Sequence, residues 1–146
     1  MAVDESKKGK TYPPFEYEVG REKIREYANA VSEHTPVHHD GEAARAAGFR
    51  DVVAPPMFAV VYSARSVAAG VLDPEVGINF ARMLHGGQEF VWGEPVCSGD
   101  TITTTTTVKD LYERGGMEFY VFESVSQNQD GQEVARGTWT NIVRGG

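Results

Sequence analysis

Residues 56–71 constrain the fold more than any other stretch of the chain. Pro56 suits the first position of a helix, where its missing N–H would have no partner in any case. Met57, Phe58, Ala59, Val60, Val61, Ala64, Val67, Ala68 and Ala69 follow, and Gly70 and Pro74 bound the end. A surface helix carries one apolar stripe, whereas a helix apolar almost all round belongs inside a core. Something must wrap it, and the rest of the chain supplies the material. Segments 78–84, 88–91, 101–112, 117–128 and 133–143 are rich in Val, Ile, Thr, Phe, Tyr and Trp, which favour strands. Turn signals separate them: Gly86-Gly87, Ser98-Gly99-Asp100, Arg114-Gly115-Gly116 and Gln129-Asp130-Gly131, the last two reading as hairpin turns. Helices followed by a meander of strands define an α+β domain. The expected architecture is a long apolar central helix wrapped by a curved antiparallel sheet. A single sheet leaves edges to cover, so dimerisation through the sheet is expected.

The first half reads as helices and loops. Residues 1–12 are polar and are expected to be a disordered N-terminal segment, with one domain over 13–146. Pro13-Pro14 leads into a short extended segment at 15–19, and Gly20 breaks it. In 21–31, Ile24, Tyr27, Ala28 and Val31 share one helical face. An alanine-rich segment at 42–47 ends at Gly48 and reads as a short helix with a glycine stop.

A chain of 146 residues is one domain by default, large enough to bury roughly 70% of its unfolded surface. Its 21 acidic and 14 basic residues give a net charge of −7. That argues against nucleic acid, because phosphate contacts need a basic surface. The single cysteine, Cys97, excludes an internal disulfide and reads as a small buried hydrophobe. No apolar run approaches the ~20 residues needed to cross a bilayer. The charged stretch from Met1 to Lys10 resembles neither a signal nor an anchor. A reducing, cytoplasmic location is expected.

Three of the four histidines fall in Ser32-Glu33-His34-Thr35-Pro36-Val37-His38-His39-Asp40. Glu33 and His38 place a carboxylate and an imidazole near one another, a pair suited to moving protons near neutral pH. Pro36 rules out a regular helix through this loop. It also breaks the helical spacing that would let His34 and His38 hold a metal, so no metal is expected. Asp40 is placed to cap the helix that begins near Glu42.

The same residues carry a family resemblance. Ser-Glu-His-Thr-Pro-Val-His at 32–38 resembles the Gly-Asp-x-Asn-Pro-Leu-His motif of MaoC-like (R)-specific enoyl-thioester hydratases and dehydratases. Ala43-Ala44-Arg45-Ala46-Ala47-Gly48-Phe49, Val53-Ala54-Pro55-Pro56-Met57-Phe58, Leu84-His85-Gly86-Gly87-Gln88-Glu89-Phe90, Glu94-Pro95-Val96 and Ser98-Gly99-Asp100 are similar to later parts of that family. The likeness covers roughly 13–143. It is nearest to the actinobacterial type represented by the A subunit of the (3R)-hydroxyacyl-ACP dehydratase, the FAS1-like dehydratase N-terminal domain.

The resemblance implies a hot-dog fold, a dimer and no cofactor. It implies reversible hydration of a trans-2-enoyl thioester, carried by CoA or ACP, to a (3R)-hydroxyacyl thioester. Glu33 stands where the family has its catalytic Asp, and His38 where it has its His. In dehydration the carboxylate takes the C2 proton and the imidazolium protonates the departing hydroxyl. Phe49, Pro56, Met57, Phe58 and His85 become candidates to line the substrate site, beside their plainer readings as core or turn residues.

Three departures stand out. Glu33 is one methylene longer than Asp, Thr35 replaces Asn, and Pro55-Pro56 stands where active hydratases have His-Gly. The glycine N–H serves the oxyanion in those enzymes, and proline has none. Met57 N–H is a candidate substitute. The chain therefore reads as a dehydratase or one subunit of one. Alternatives are a non-catalytic acyl-binding subunit, paired with a MaoC-like partner that carries the intact motif, and, more weakly, an acyl-thioesterase.

Overall fold

The computed structural model describes residues 3–145. Its strands are β1 (Phe15–Glu18), β2 (Met83–Trp92), β3 (Thr101–Arg114), β4 (Met117–Gln127) and β5 (Glu133–Arg144). They form one antiparallel sheet ordered β1-β3-β4-β5-β2. Gly115 and Gly116 turn the β3–β4 hairpin with φ of +58° and +74°, the doubly left-handed turn that matches strand twist. Along the threonine run, burial alternates with the strand period. Thr104 and Thr106 point inward, and their hydroxyls bond Ser126 and Ser66, each at 2.7 Å. Inward polar groups are thus paired before they are buried.

Helices α1 (Arg21–Ala30) and α2 (Gly41–Ala46) precede a single turn at Pro56–Phe58 and then helix α3 (Ala59–Val71). Ile24 and Ala28 are buried on α1, and Asp40 caps α2 by accepting from Glu42 N–H at 3.0 Å. Helix α3 lies against β3, β4 and β1. Gly70 lets it approach closely: a Cβ there would come within 2.9 Å of two Phe122 ring carbons. Two apolar clusters fill the space between layers, one around Phe58, Tyr62 and Ile102, the other around Val67, Val108 and Phe122.

Four expectations change. Helix α3 has 13 residues, an ordinary length rather than a long one, and Ala64, Arg65 and Ala69 remain exposed. Apolar side chains all round do not imply cover all round: the sheet wraps one face only, and β5 and β2 extend beyond it. Residues 4–12 are not disordered. Beyond β1, the backbone of β3 still offers hydrogen bonds, and the N-terminal segment takes them (Gly9 N–H to Val108 O, 2.8 Å; Tyr12 N–H to Thr106 O, 3.0 Å). The Tyr12 hydroxyl donates to Asp73 at 2.7 Å, and Lys10 pairs with the same carboxylate at 2.6 Å. Met1 and Ala2, part of that expected segment, lie outside the described residues.

The 78–84 segment is not a strand throughout, since Phe80–Arg82 form a single helical turn. Strand β2 instead runs unbroken through Gly86-Gly87, where a register shift between His85 and Gly87 absorbs the extra residue as a bulge. As an edge strand it exposes Leu84, Val91 and Trp92.

Candidate functional site

The loop after α1 turns on Ser32, which takes φ of +58°. Glu33 N–H then returns to Ala28 O at 2.8 Å. The Glu33 carboxylate folds back on its own loop, accepting from Thr35 N–H at 2.9 Å and from the Thr35 hydroxyl. Thr35 thus supplies internal bonds at the position where the family motif has Asn. These donors, the hydroxyl first and the backbone second, hold the Glu33 carboxyl below the ordinary glutamate range.

His38 is held differently. Its Nδ1 lies 2.7 Å from Val53 O. A carbonyl can only accept, so Nδ1 carries the proton and Nε2 of the neutral ring is left as an acceptor. Val53 is itself clamped: its N–H donates to Val37 O at 2.9 Å, and it forms an isolated bridge with Cys97. Ala54 N–H to Val96 O and Ser98 N–H to Val52 O, both 2.8 Å, continue that strap. Asp100 anchors it. This carboxylate is 1% exposed, accepts from Cys97 N–H at 2.9 Å and Gln129 Nε2 at 2.9 Å, and pairs with Arg50 at 2.8 Å. Cys97 is buried, as expected.

His38 opens on an apolar cavity of about 300 Å³ whose wall includes Phe49, Pro56, Tyr62, Trp92 and Val134. Glu33 opens on a different cavity, with Tyr27 and Met57. Pro55 and Pro56 line both cavities and stand between them. Trp92 fixes this partition, donating from Nε1 to Pro56 O at 2.9 Å.

The substrate candidates therefore divide. Phe49 and Pro56 line the His38 cavity, and Met57, 43% exposed, lines the Glu33 cavity. Phe58 lines neither: it is 0% exposed and sits edge-on among Tyr17, Tyr27 and Tyr62, as a core residue. His85 is also displaced from the site. It lies at the far end of β2 from Trp92, edge-on to Trp139, because β2 is one continuous strand. Sequence reading missed Tyr62, Trp92 and Glu94, which line the His38 cavity. Burial pushes the Tyr62 phenol up, so it stays a hydrogen-bond donor. The only available signal for Trp92 was its position just before the Gly93-Glu94-Pro95 turn. Among the described residues no three of His, Cys, Asp and Glu converge as metal ligands; His34 and His39 stack on one another. Among them, too, no helix is long and apolar enough to cross a membrane.

A five-stranded antiparallel sheet against one central helix, with a histidine facing an apolar cavity, defines the hot-dog fold of MaoC-like dehydratases. The chain belongs to the family described as "FAS1-like, dehydratase domain region", whose model matches residues 6–137. A UPF0336 protein of Saccharopolyspora erythraea is 42% identical over 99% of this chain and 94% of its own length. Among solved structures, a chain of the C-terminally truncated HadBC (3R-hydroxyacyl-ACP dehydratase) complex from Mycobacterium tuberculosis superposes with a TM-score of 0.84 at 27% identity. It covers 97% of this chain and 99% of that one. A MaoC-like dehydratase gives a TM-score of 0.87 at 25% identity, over 96% of this chain but 43% of that longer one.

Proposed function

We propose that this chain is the acyl-thioester-binding subunit of a (3R)-hydroxyacyl-thioester dehydratase of fatty-acyl metabolism, working in the cytoplasm. Its partner is a second hot-dog subunit with an intact acid–base pair, and the substrate is an acyl-CoA or acyl-ACP. The observation that carries this reading is the partition at Pro55-Pro56. Dehydration needs a base at C2 and an acid at the hydroxyl around one substrate, whereas Glu33 and His38 open on separate cavities. The loss of an N–H at Pro56 points the same way, since removing one oxyanion donor typically costs ~3 kcal/mol of transition-state stabilisation. The likeness to a chain of a dehydratase complex supports the paired assembly.

A second reading, turnover by this chain itself, has one observation in its favour. His38 is oriented by Val53 O with Nε2 left free, as a working proton carrier would be. Hydration of crotonyl-CoA and longer trans-2-enoyl-CoA, followed by loss of enoyl absorbance, separates the two. Slow or no turnover is expected from the chain alone. Clear turnover is expected with the partner subunit, surviving His38→Ala and Glu33→Gln in this chain. Fast turnover by the isolated chain, abolished by His38→Ala, overturns the proposal.

A further inference from the structure

We propose that the Tyr62 hydroxyl receives the carbonyl oxygen of the acyl group bound in the His38 cavity, filling the donor position that Pro56 cannot fill. This rests on the acyl-thioester reading above. Tyr62 sits on α3, is 2% exposed and lines the cavity wall. Its ring packs edge-on against Phe58, while its hydroxyl has no hydrogen-bond partner among the described residues. Among the described residues, the fully enclosed side-chain atoms without a partner belong to Gln88 and Asn141; the Tyr62 oxygen keeps some accessible surface, and is open to an acceptor in the cavity it lines.

The inventory of the wall leaves few other donors. Pro55, Pro56 and Pro95 have no N–H. Val53 N–H is spent on Val37 O, Ala54 N–H on Val96 O, Gly93 N–H on Val134 O and Glu94 N–H on Glu133 O. Trp92 Nε1 is spent on Pro56 O and His38 Nδ1 on Val53 O. The neutral His38 ring presents an acceptor, Nε2. The N–H groups of Val37 and Val96 also lack a partner among the described residues, but among the side chains of the wall Tyr62 is the neutral donor left unpaired, in a chamber where a single hydrogen bond to a carbonyl is strengthened by the low local polarity. The chemistry recognised is a carbonyl oxygen attached to an apolar chain, which is what an acyl thioester offers and a thioether of the same length lacks.

The test compares hexanoyl-CoA with S-hexyl-CoA, its thioether counterpart, by titration calorimetry on the full chain. The chain is expected to bind the thioester about five- to tenfold more tightly than the thioether. Tyr62→Phe, which keeps the ring and its packing, is expected to remove that preference while leaving thioether affinity unchanged. A carbonyl-labelled thioester adds a readout that mere packing would not move: its infrared stretch should shift to lower frequency on binding and return in Tyr62→Phe. Equal affinity for thioester and thioether in the unaltered chain overturns the Tyr62 assignment but leaves the acyl-binding reading standing. An equal loss for both ligands in Tyr62→Phe also overturns the assignment. Binding of neither ligand overturns the acyl-binding reading itself, and the assignment with it.

Discussion

The two flanks of Pro55-Pro56 are built in different ways. On one flank, His38 is fixed from outside its loop, by a carbonyl of residue 53 that is clamped in turn by the 96–98 strap and the buried Asp100. On the other, Glu33 is fixed by its own loop, two residues away, at Thr35. The first arrangement joins segments from distant parts of the chain and faces an apolar chamber. The second is local and faces the surface. A histidine held by the fold keeps one orientation, while a carboxylate held by its neighbour satisfies itself. The difference teaches that the two halves of one sequence motif can rest on unrelated supports: position alone does not make a pair.

The largest effect should come from cutting the anchor of the His38 flank. Asp100→Ala removes the acceptor shared by Cys97 N–H, Gln129 and Arg50. Arg50 is exposed and recovers its solvation, but Cys97 N–H is left buried without a partner. A loss of about 2–3 kcal/mol is expected, read as a lower urea midpoint, together with loosening of His38. The matching change on the other flank, Thr35→Val, should lower the midpoint far less, because Thr35 is exposed and water replaces its hydroxyl at the Glu33 carboxylate. If both variants shift stability equally, the contrast between an anchored flank and a local one fails.

A smaller effect is expected at the partition. Trp92→Phe keeps an aromatic ring at the cavity but deletes the bond from Nε1 to Pro56 O. Trp92 is 48% exposed, so the cost should be about 0.5–1 kcal/mol. Affinity for S-hexyl-CoA should fall two- to fivefold, roughly the same free energy. Unchanged affinity would mean that the turn at Pro56 holds its place without Trp92 and that the partition is intrinsic to the two prolines.

Much of this was legible in residue patterns, within limits that have physical causes. The 56–71 helix, the Gly115-Gly116 turn and the Asp40 cap are local, and local chemistry announces them. The inward face of the threonine run follows from a period of two. The likeness to MaoC-like enzymes singled out His38, which lines the apolar cavity. What could not be read is which side of a folded loop each side chain takes. Glu33 and His38 sit five positions apart, yet Pro55-Pro56, from a later segment, passes between their cavities. Trp92 and Tyr62 reach the site from an edge strand and a core helix, and neither residue type is unusual where it stands. The N-terminal segment looked unstructured because its composition is polar. Its order comes from the unfilled backbone of β3, which no composition reveals.

The smallest effect concerns the charge of Glu33. Its carboxyl is held below 4.5 by the Thr35 hydroxyl and N–H. A group whose folded value is depressed adds stability above its unfolded value, and loses that contribution as pH falls through the folded one. For Glu33 this window lies below about pH 4.5, well away from neutrality. Thr35→Val removes the side-chain donor and should raise the titration midpoint toward the ordinary value, as followed by the carboxyl carbon in an NMR titration. A midpoint already at or above 4.5 in the unaltered chain would break the contrast between the flanks, since Glu33 would then be free for other work. As it stands, a carboxylate stabilised by two donors is a weakened base, because a general base works best with a midpoint near the operating pH. The bonds that settle Glu33 into its loop thus lower its power to take a C2 proton, whereas His38 keeps an uncommitted Nε2 at the cavity.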